Sequence, residues 1–169
     1  MHTLSFFLLE TEPVDSIRYE ECPIFLTEPD DTGLFDEAVE CIKKYEGWHS
    51  KKHHPYVGYG HKLQAGESFD AGISEEVADS LLRKDLLERC TAFNRFGQDS
   101  LLLGVLAYNV GIYRLLGTGK IPKSNLIQKL ETGDRDIYDE YVSYRKCKGK
   151  ILPSLERRRK EEFELLFDK

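Results

Sequence analysis

The stretch EGWHSKKHHPYVGYGHKL, residues 46–63, sets one carboxylate, four histidines and three aromatic side chains around a turn broken by glycine. Its second half, Pro55 to His61, mixes aromatic and β-branched residues with Gly58 and Gly60, which predicts a small twisted hairpin. The residues before it read differently. Phe35, Ala38, Val39, Ile42 and Tyr45 recur at helical spacing, so a helix is expected from Leu34 to Tyr45. Gly47 fits the stop position just beyond it.

Downstream the pattern is helical almost throughout. Ser74 caps SEEVADSLLRKDLLERCTAF, whose Glu75 and Glu76 suit the positive end of a helix dipole. DSLLLGVLAYNVGIYRLL, residues 99–116, is apolar nearly all round and is expected to be a buried central helix, ended by Gly117 and Gly119. A short helix is expected from Ser124 to Leu130, and another over residues 134–147 with Ile137, Tyr141 and Tyr144 on one side. Pro153 opens the last, PSLERRRKEEFELLF, with Leu155, Phe163, Leu166 and Phe167 turned to the core and its arginines turned elsewhere. The fold class is therefore α+β: a first helix, a small hairpin sheet, then a mostly α-helical bundle.

The chain has 169 residues, 40% hydrophobic and 32% charged, which suits one soluble globular domain with a small attachment. No apolar run is long enough to cross a bilayer, so stable membrane insertion is not expected. The start, MHTLSFFLLETEP, has an apolar patch but no basic lead-in, and reads as a strand or arm rather than a complete signal peptide. Residues 1–33 hold Pro13, Pro23 and Pro29 and form an acidic N-terminal arm ahead of a domain at 34–169. Charge divides the same way. Residues 1–40 carry eleven acids and one base, net −10, whereas residues 41–169 carry 23 bases and 19 acids, net +4. A mildly basic body suits an anionic polymer, and the leader can shield it. The four cysteines form no C-x-x-C pair and read as buried free thiols.

Glu46 follows Ile42 by one helical turn, so it projects from the apolar side of its helix. Burial and the negative helix end both disfavour a charged carboxylate there. A proton is then expected to stay on it, as a general acid requires. The plain alternative is a surface glutamate at a helix end. A second alternative gathers His49, His53, His54 and His61 with Glu46 around a metal, but the helical H-E-x-x-H spacing is missing and Pro55 interrupts the run. No metal and no cofactor are expected. GTGK at 117–120 is not a phosphate loop, because Arg114 and Ile121 stand where Gly and Ser or Thr belong. Arg157, Arg158 and Arg159 point three ways on a helix and are expected to give one salt bridge and two solvated side chains, not a nucleic-acid surface.

These residues together carry a family resemblance. A helix ending in Tyr45-Glu46-Gly47, followed by Val57-Gly58-Tyr59-Gly60-His61, resembles the catalytic front of the phage-type lysozymes and endolysins, the muramidases of glycoside hydrolase family 24. Ala107-Tyr108-Asn109-Val110-Gly111 is similar to that family's F-N-x-G stretch. Leu155 with Arg157-Arg158 and Glu161-Glu162 resembles its terminal L-x-x-R-R-x-x-E pattern. The likeness spans about residues 34–167. It implies a lysozyme-like fold and cleavage of the β-1,4 bond between N-acetylmuramic acid and N-acetylglucosamine, with Glu46 as the acid.

The sequence departs from the family at one point. Members usually place an Asp or Cys after the glutamate and a Thr before the I-G-Y-G-H turn. Here no Asp or Glu lies between Gly47 and Ala65, Tyr56 stands at the Thr position, and His53 or His54 lies near the Asp position. The expected site is therefore Glu46 facing Tyr56 with His53 or His54, with Tyr59, His61 and Asn109 shaping the hairpin or touching substrate. Two other outcomes fit the missing carboxylate: a lytic transglycosylase, or an inactive lysozyme fold that binds peptidoglycan or a protein. The partner is expected to be a glycan strand in the periplasm or cell wall. No clear export signal is visible; a companion lysis pore and a secretion machinery are the two routes compatible with the sequence.

Overall fold

The computed structural model describes residues 33–69 and 72–167. The expected arm at 1–33, apart from Gly33, and Cys22 lie outside the described residues. Helix α1 spans Leu34–Glu46, then a 3-10 turn at Lys51–His53 leads into the antiparallel strands β1 (Tyr56–Val57) and β2 (His61–Lys62). Their register pairs Tyr56 with Lys62 and Val57 with His61. Six further helices follow: α2 Glu75–Thr91, α3 Ser100–Val110, α4 Ile112–Leu116, α5 Asn125–Glu131, α6 Tyr138–Val142 and α7 Pro153–Leu166. A second hairpin, β3 (Lys146–Cys147) with β4 (Lys150–Ile151), joins the last two. This is the expected α+β class: a first helix, a small antiparallel hairpin, then a mostly α-helical bundle.

Helix starts follow local chemistry. Ser74 Oγ accepts from the Val77 N–H at 3.3 Å and Ser124 Oγ from the Ile127 N–H at 3.3 Å, each satisfying a first-turn donor that lacks an intrahelical partner. The core wraps α3, whose Leu102, Leu103, Val105 and Leu106 are fully buried. Burying each of these large side chains stabilises the fold by about 1.5–3 kcal/mol. Helix α2 lies close along α3 because Gly104 has no side chain: a Cβ there would overlap Cys90 Sγ. Helix α1 turns Ala38, Val39 and Ile42 inward and packs on α3 and α7.

The structure corrects three expectations. The central apolar run is two helices, because Gly111 adopts φ 88°, a left-handed conformation that other residues enter at a cost. The helix expected over 134–147 covers only Tyr138–Val142. Lys148 (φ 49°) and Gly149 (φ 78°) turn the chain back instead, and Leu152 N–H closes the hairpin on Arg145 O at 3.0 Å. Among the cysteines, Cys41 and Cys90 are buried free thiols, but Cys147 is exposed on that hairpin. Burial pushes the Cys90 thiol up to about 12, which keeps it unreactive. No helix among the described residues is long and apolar enough to cross a membrane.

Candidate active site

Glu46 is the last residue of α1. The Gly47 N–H closes the helix on Lys43 O at 3.0 Å, and the chain then turns away. Because α1 is fixed by its buried face, Glu46 opens into a groove of about 670 Å3. The hairpin side of this groove presents His49 and Tyr56; the helical side presents Tyr108, Asn109 and Tyr113. Two contacts hold the hairpin over α3 and α2. Tyr108 Oη donates to the Tyr59 carbonyl at 3.0 Å, and His61 is buried between Asp85 of α2 and Glu67.

Arg158 reaches Glu46 from α7. Its Nη1 donates to Glu46 Oε1 at 2.7 Å, and its Nε donates to Glu162 Oε1 at 2.7 Å. Glu162 is also held by Arg159 Nη2 at 3.1 Å and by Tyr141 Oη at 3.0 Å. The side chain of Arg158 is only 3% exposed, against 18% for Glu46. Burial pulls the Arg158 guanidinium down, but the charges of Glu162 and Glu46 outweigh it, so the group stays protonated.

This overturns two expectations. The arginine run is not one salt bridge and two solvated side chains: Arg158 and Arg159 are buried, and only Arg157 is exposed. Nor do burial and the negative helix end act on Glu46 alone, as the sequence suggested: Arg158 pairs with it. Arg158 and Glu162 are one turn apart on the face of α7 that meets α1, so the guanidinium bridges two carboxylates.

The expected site residues divide into two groups. Tyr56 and Asn109 line the groove with Glu46, and Asn109 Nδ2 lies 3.5 Å from Glu46 Oε1. His53 and His54 do not line it. His53 Nδ1 accepts from the Ser50 N–H at 2.9 Å, while His54 borders a neighbouring hollow of about 340 Å3 that shares only Tyr56 with the groove. Tyr59 packs edge-on against Trp48 with centroids 5.4 Å apart and donates to Glu75 at 3.2 Å. His61 has both ring nitrogens engaged, Nδ1 with Asp85 and Nε2 with Glu67, each at 3.0 Å. Both of these residues brace the hairpin from behind. Burial pulls the His61 ring down, yet the bonds to Glu67 and Asp85 prevail and hold it above the ordinary histidine value.

Sequence reasoning did not bring Arg158 to Glu46, and it named His49 only in the metal alternative. The i,i+4 pair Arg158–Glu162 was a readable signal of a structured charge. His49 stood among four histidines with nothing to separate it from the rest. Among the described residues, no group of three or more His, Cys, Asp or Glu side chains is placed to hold a metal ion.

Comparison with known proteins agrees with this fold. Residues 39–162 match the family model described as phage lysozyme. A curated relative, an endolysin of Bacillus phage B103, is 30% identical over 144 residues, covering 74% of this chain. The chain spans about half the length of that relative, 50%. Among solved structures, the muramidase domain of SpmX from Asticaccaulis excentricus superposes with a TM-score of 0.62 and 25% identity, covering 79% of this chain and 96% of that one.

Proposed function

The chain belongs to the phage lysozyme family, and on that premise we propose that it is a muramidase acting on peptidoglycan. It would cleave the β-1,4 bond between N-acetylmuramic acid and N-acetylglucosamine, with Glu46 as general acid. One observation carries this reading. Glu46 Oε1 is held by Arg158 and Asn109, while Oε2 has no hydrogen bond among the described residues. Gly60 faces that second oxygen, and a Cβ there would lie 3.7 Å from it, at ordinary contact distance.

Oε1 keeps accepting from Arg158, which fixes the carboxyl plane, and Oε2 carries the proton to the leaving oxygen of the sugar. A glycan that fills the groove displaces water and strengthens these interactions. Tyr56 and Tyr113 offer exposed rings on which sugar faces can rest.

A second reading has its own support. The buried cation on Glu46 and the absence of an acid between Gly47 and Ala65 favour a lysozyme fold that binds glycan without hydrolysing it, or one that closes an anhydro ring. Digestion of purified sacculi followed by mass analysis separates these. Hydrated muramic ends that vanish in Glu46→Gln, with a loss of roughly 10²-fold or more in rate, support the muramidase. Anhydro ends indicate transglycosylation. Saturable binding with no new ends in the wild type refutes the enzyme.

A further inference from the structure

We propose that His49 activates the attacking water across the groove from Glu46, in the place where relatives use a second acidic side chain. The inference rests on the hydrolytic reading above and names the residue that reading leaves open.

Three observations converge on it. First, His49 lines the groove with Glu46 and Tyr56, whereas His53 and His54 do not. Second, it is held rigidly: its N–H donates to Gly58 O at 2.7 Å and its carbonyl accepts from the Gly58 N–H at 3.1 Å. Its ring sits between His53 and Tyr56, at centroid distances of 5.1 and 6.2 Å. Only Gly47 and Trp48 separate it from Glu46, so both groups ride on one helix-to-hairpin junction. Third, its ring is chemically unused. His53 Nδ1 is bonded to the Ser50 backbone and both nitrogens of His61 face carboxylates. Neither nitrogen of His49 has a hydrogen-bond partner among the described residues, and its Nδ1 is buried. Burial closes Nδ1 to solvent, so Nε2 is the ring nitrogen left to meet a water that arrives with substrate.

The step balances without a co-reactant other than water. The water oxygen bonds to the anomeric carbon as one water proton passes to His49. The glycosidic carbon–oxygen bond breaks with its electron pair on the leaving oxygen, which takes the proton from Glu46. Glu46 is left as carboxylate and His49 as imidazolium, and solvent returns the proton from one to the other.

The test uses the full chain and purified sacculi, with His49→Ala, His49→Gln and Glu46→Gln, each checked for folding by circular dichroism and for sacculus binding. Both His49 variants should lose roughly 10²-fold or more of reducing-end release while still binding sacculi. Sodium azide should restore cleavage by the smaller His49→Ala, with azide-capped glycan ends found by mass; azide needs no base but still needs the acid, so Glu46→Gln should stay inactive. Wild-type rates in the His49 variants overturn the proposal while leaving the muramidase reading intact. Folded variants that lose activity without azide-capped ends overturn it too, as does azide rescue of Glu88→Gln in place of His49→Ala, since Glu88 also lines the groove. A wild type that releases no hydrated ends removes both readings together.

Discussion

Arg158 Nη1 meets Glu46 Oε1 at 2.7 Å across 112 positions of the chain. The same guanidinium holds Glu162, which is fully buried, so the last helix and the first are joined through one cation. Burial pushes the Glu162 carboxyl up, and the neighbouring Arg159 and Arg158 charges pull it back. Taking one member out of such a set leaves the others desolvated and unmatched.

Arg158→Ala should therefore destabilise the fold by about 3–5 kcal/mol, measured by urea unfolding. Arg158→Lys should recover part of the stability, because a single ammonium keeps the charge but lacks the planar fork that reaches both carboxylates. Stability unchanged in the alanine variant would mean that the pair contributes nothing net.

His61 should make stability depend on pH. Its folded value is raised above the unfolded one, so its contribution is fully present below about pH 6.5 and is lost as pH rises through the raised value. Only the doubly protonated ring can donate to Asp85 and Glu67 together. Melting temperatures from about pH 5 to about pH 9 should show wild type and His61→Gln converging on the alkaline side. A gap that widens with pH would contradict the assignment.

Tyr108→Phe removes the one hydroxyl that ties the hairpin turn to α3, the 3.0 Å bond to Tyr59 O. A net loss of about 0.5–1.5 kcal/mol is expected. Hydrogen exchange should locate the loosening at residues 56–62 and leave α2 unchanged. Uniform protection loss across the domain would show that the hydroxyl supports the core instead.

Gly104→Ala should cost about 1–3 kcal/mol by overpacking. The added carbon would overlap Cys90 Sγ and lie 3.1 Å from the Cys90 backbone nitrogen, so α2 has to move. Cys90→Ala in the same chain should relieve only the contact with sulfur. Full rescue by that second change would show that the two helices are not held at backbone distance.

Several features could be read directly along the chain. Apolar spacing marked α1, Ser74 and Ser124 marked helix starts, and the glycine-broken run at 55–61 marked a hairpin. Position alone left Glu46 open to the reading of a surface glutamate at a helix end; the resemblance of its surroundings to the phage-type lysozymes singled it out. These are local properties: they depend on neighbours within a helical turn or a strand pair, which periodicity records. The second hairpin escaped notice because its strands, Lys146–Cys147 and Lys150–Ile151, are two residues each, too short for a period to register.

Tertiary structure alone decided what surrounds Glu46. Which arginine meets it depends on how α7 packs against α1, and that is set by the shared core rather than by any spacing in the sequence. Likewise, four histidines within one short segment look equivalent in one dimension; the backbone bridge from His49 to Gly58 turns one of them into the groove and leaves the others outside. The order of residues fixed the chemical groups available and the elements that carry them. Folding chose among those groups, because burial and charge pairing act on distances in space.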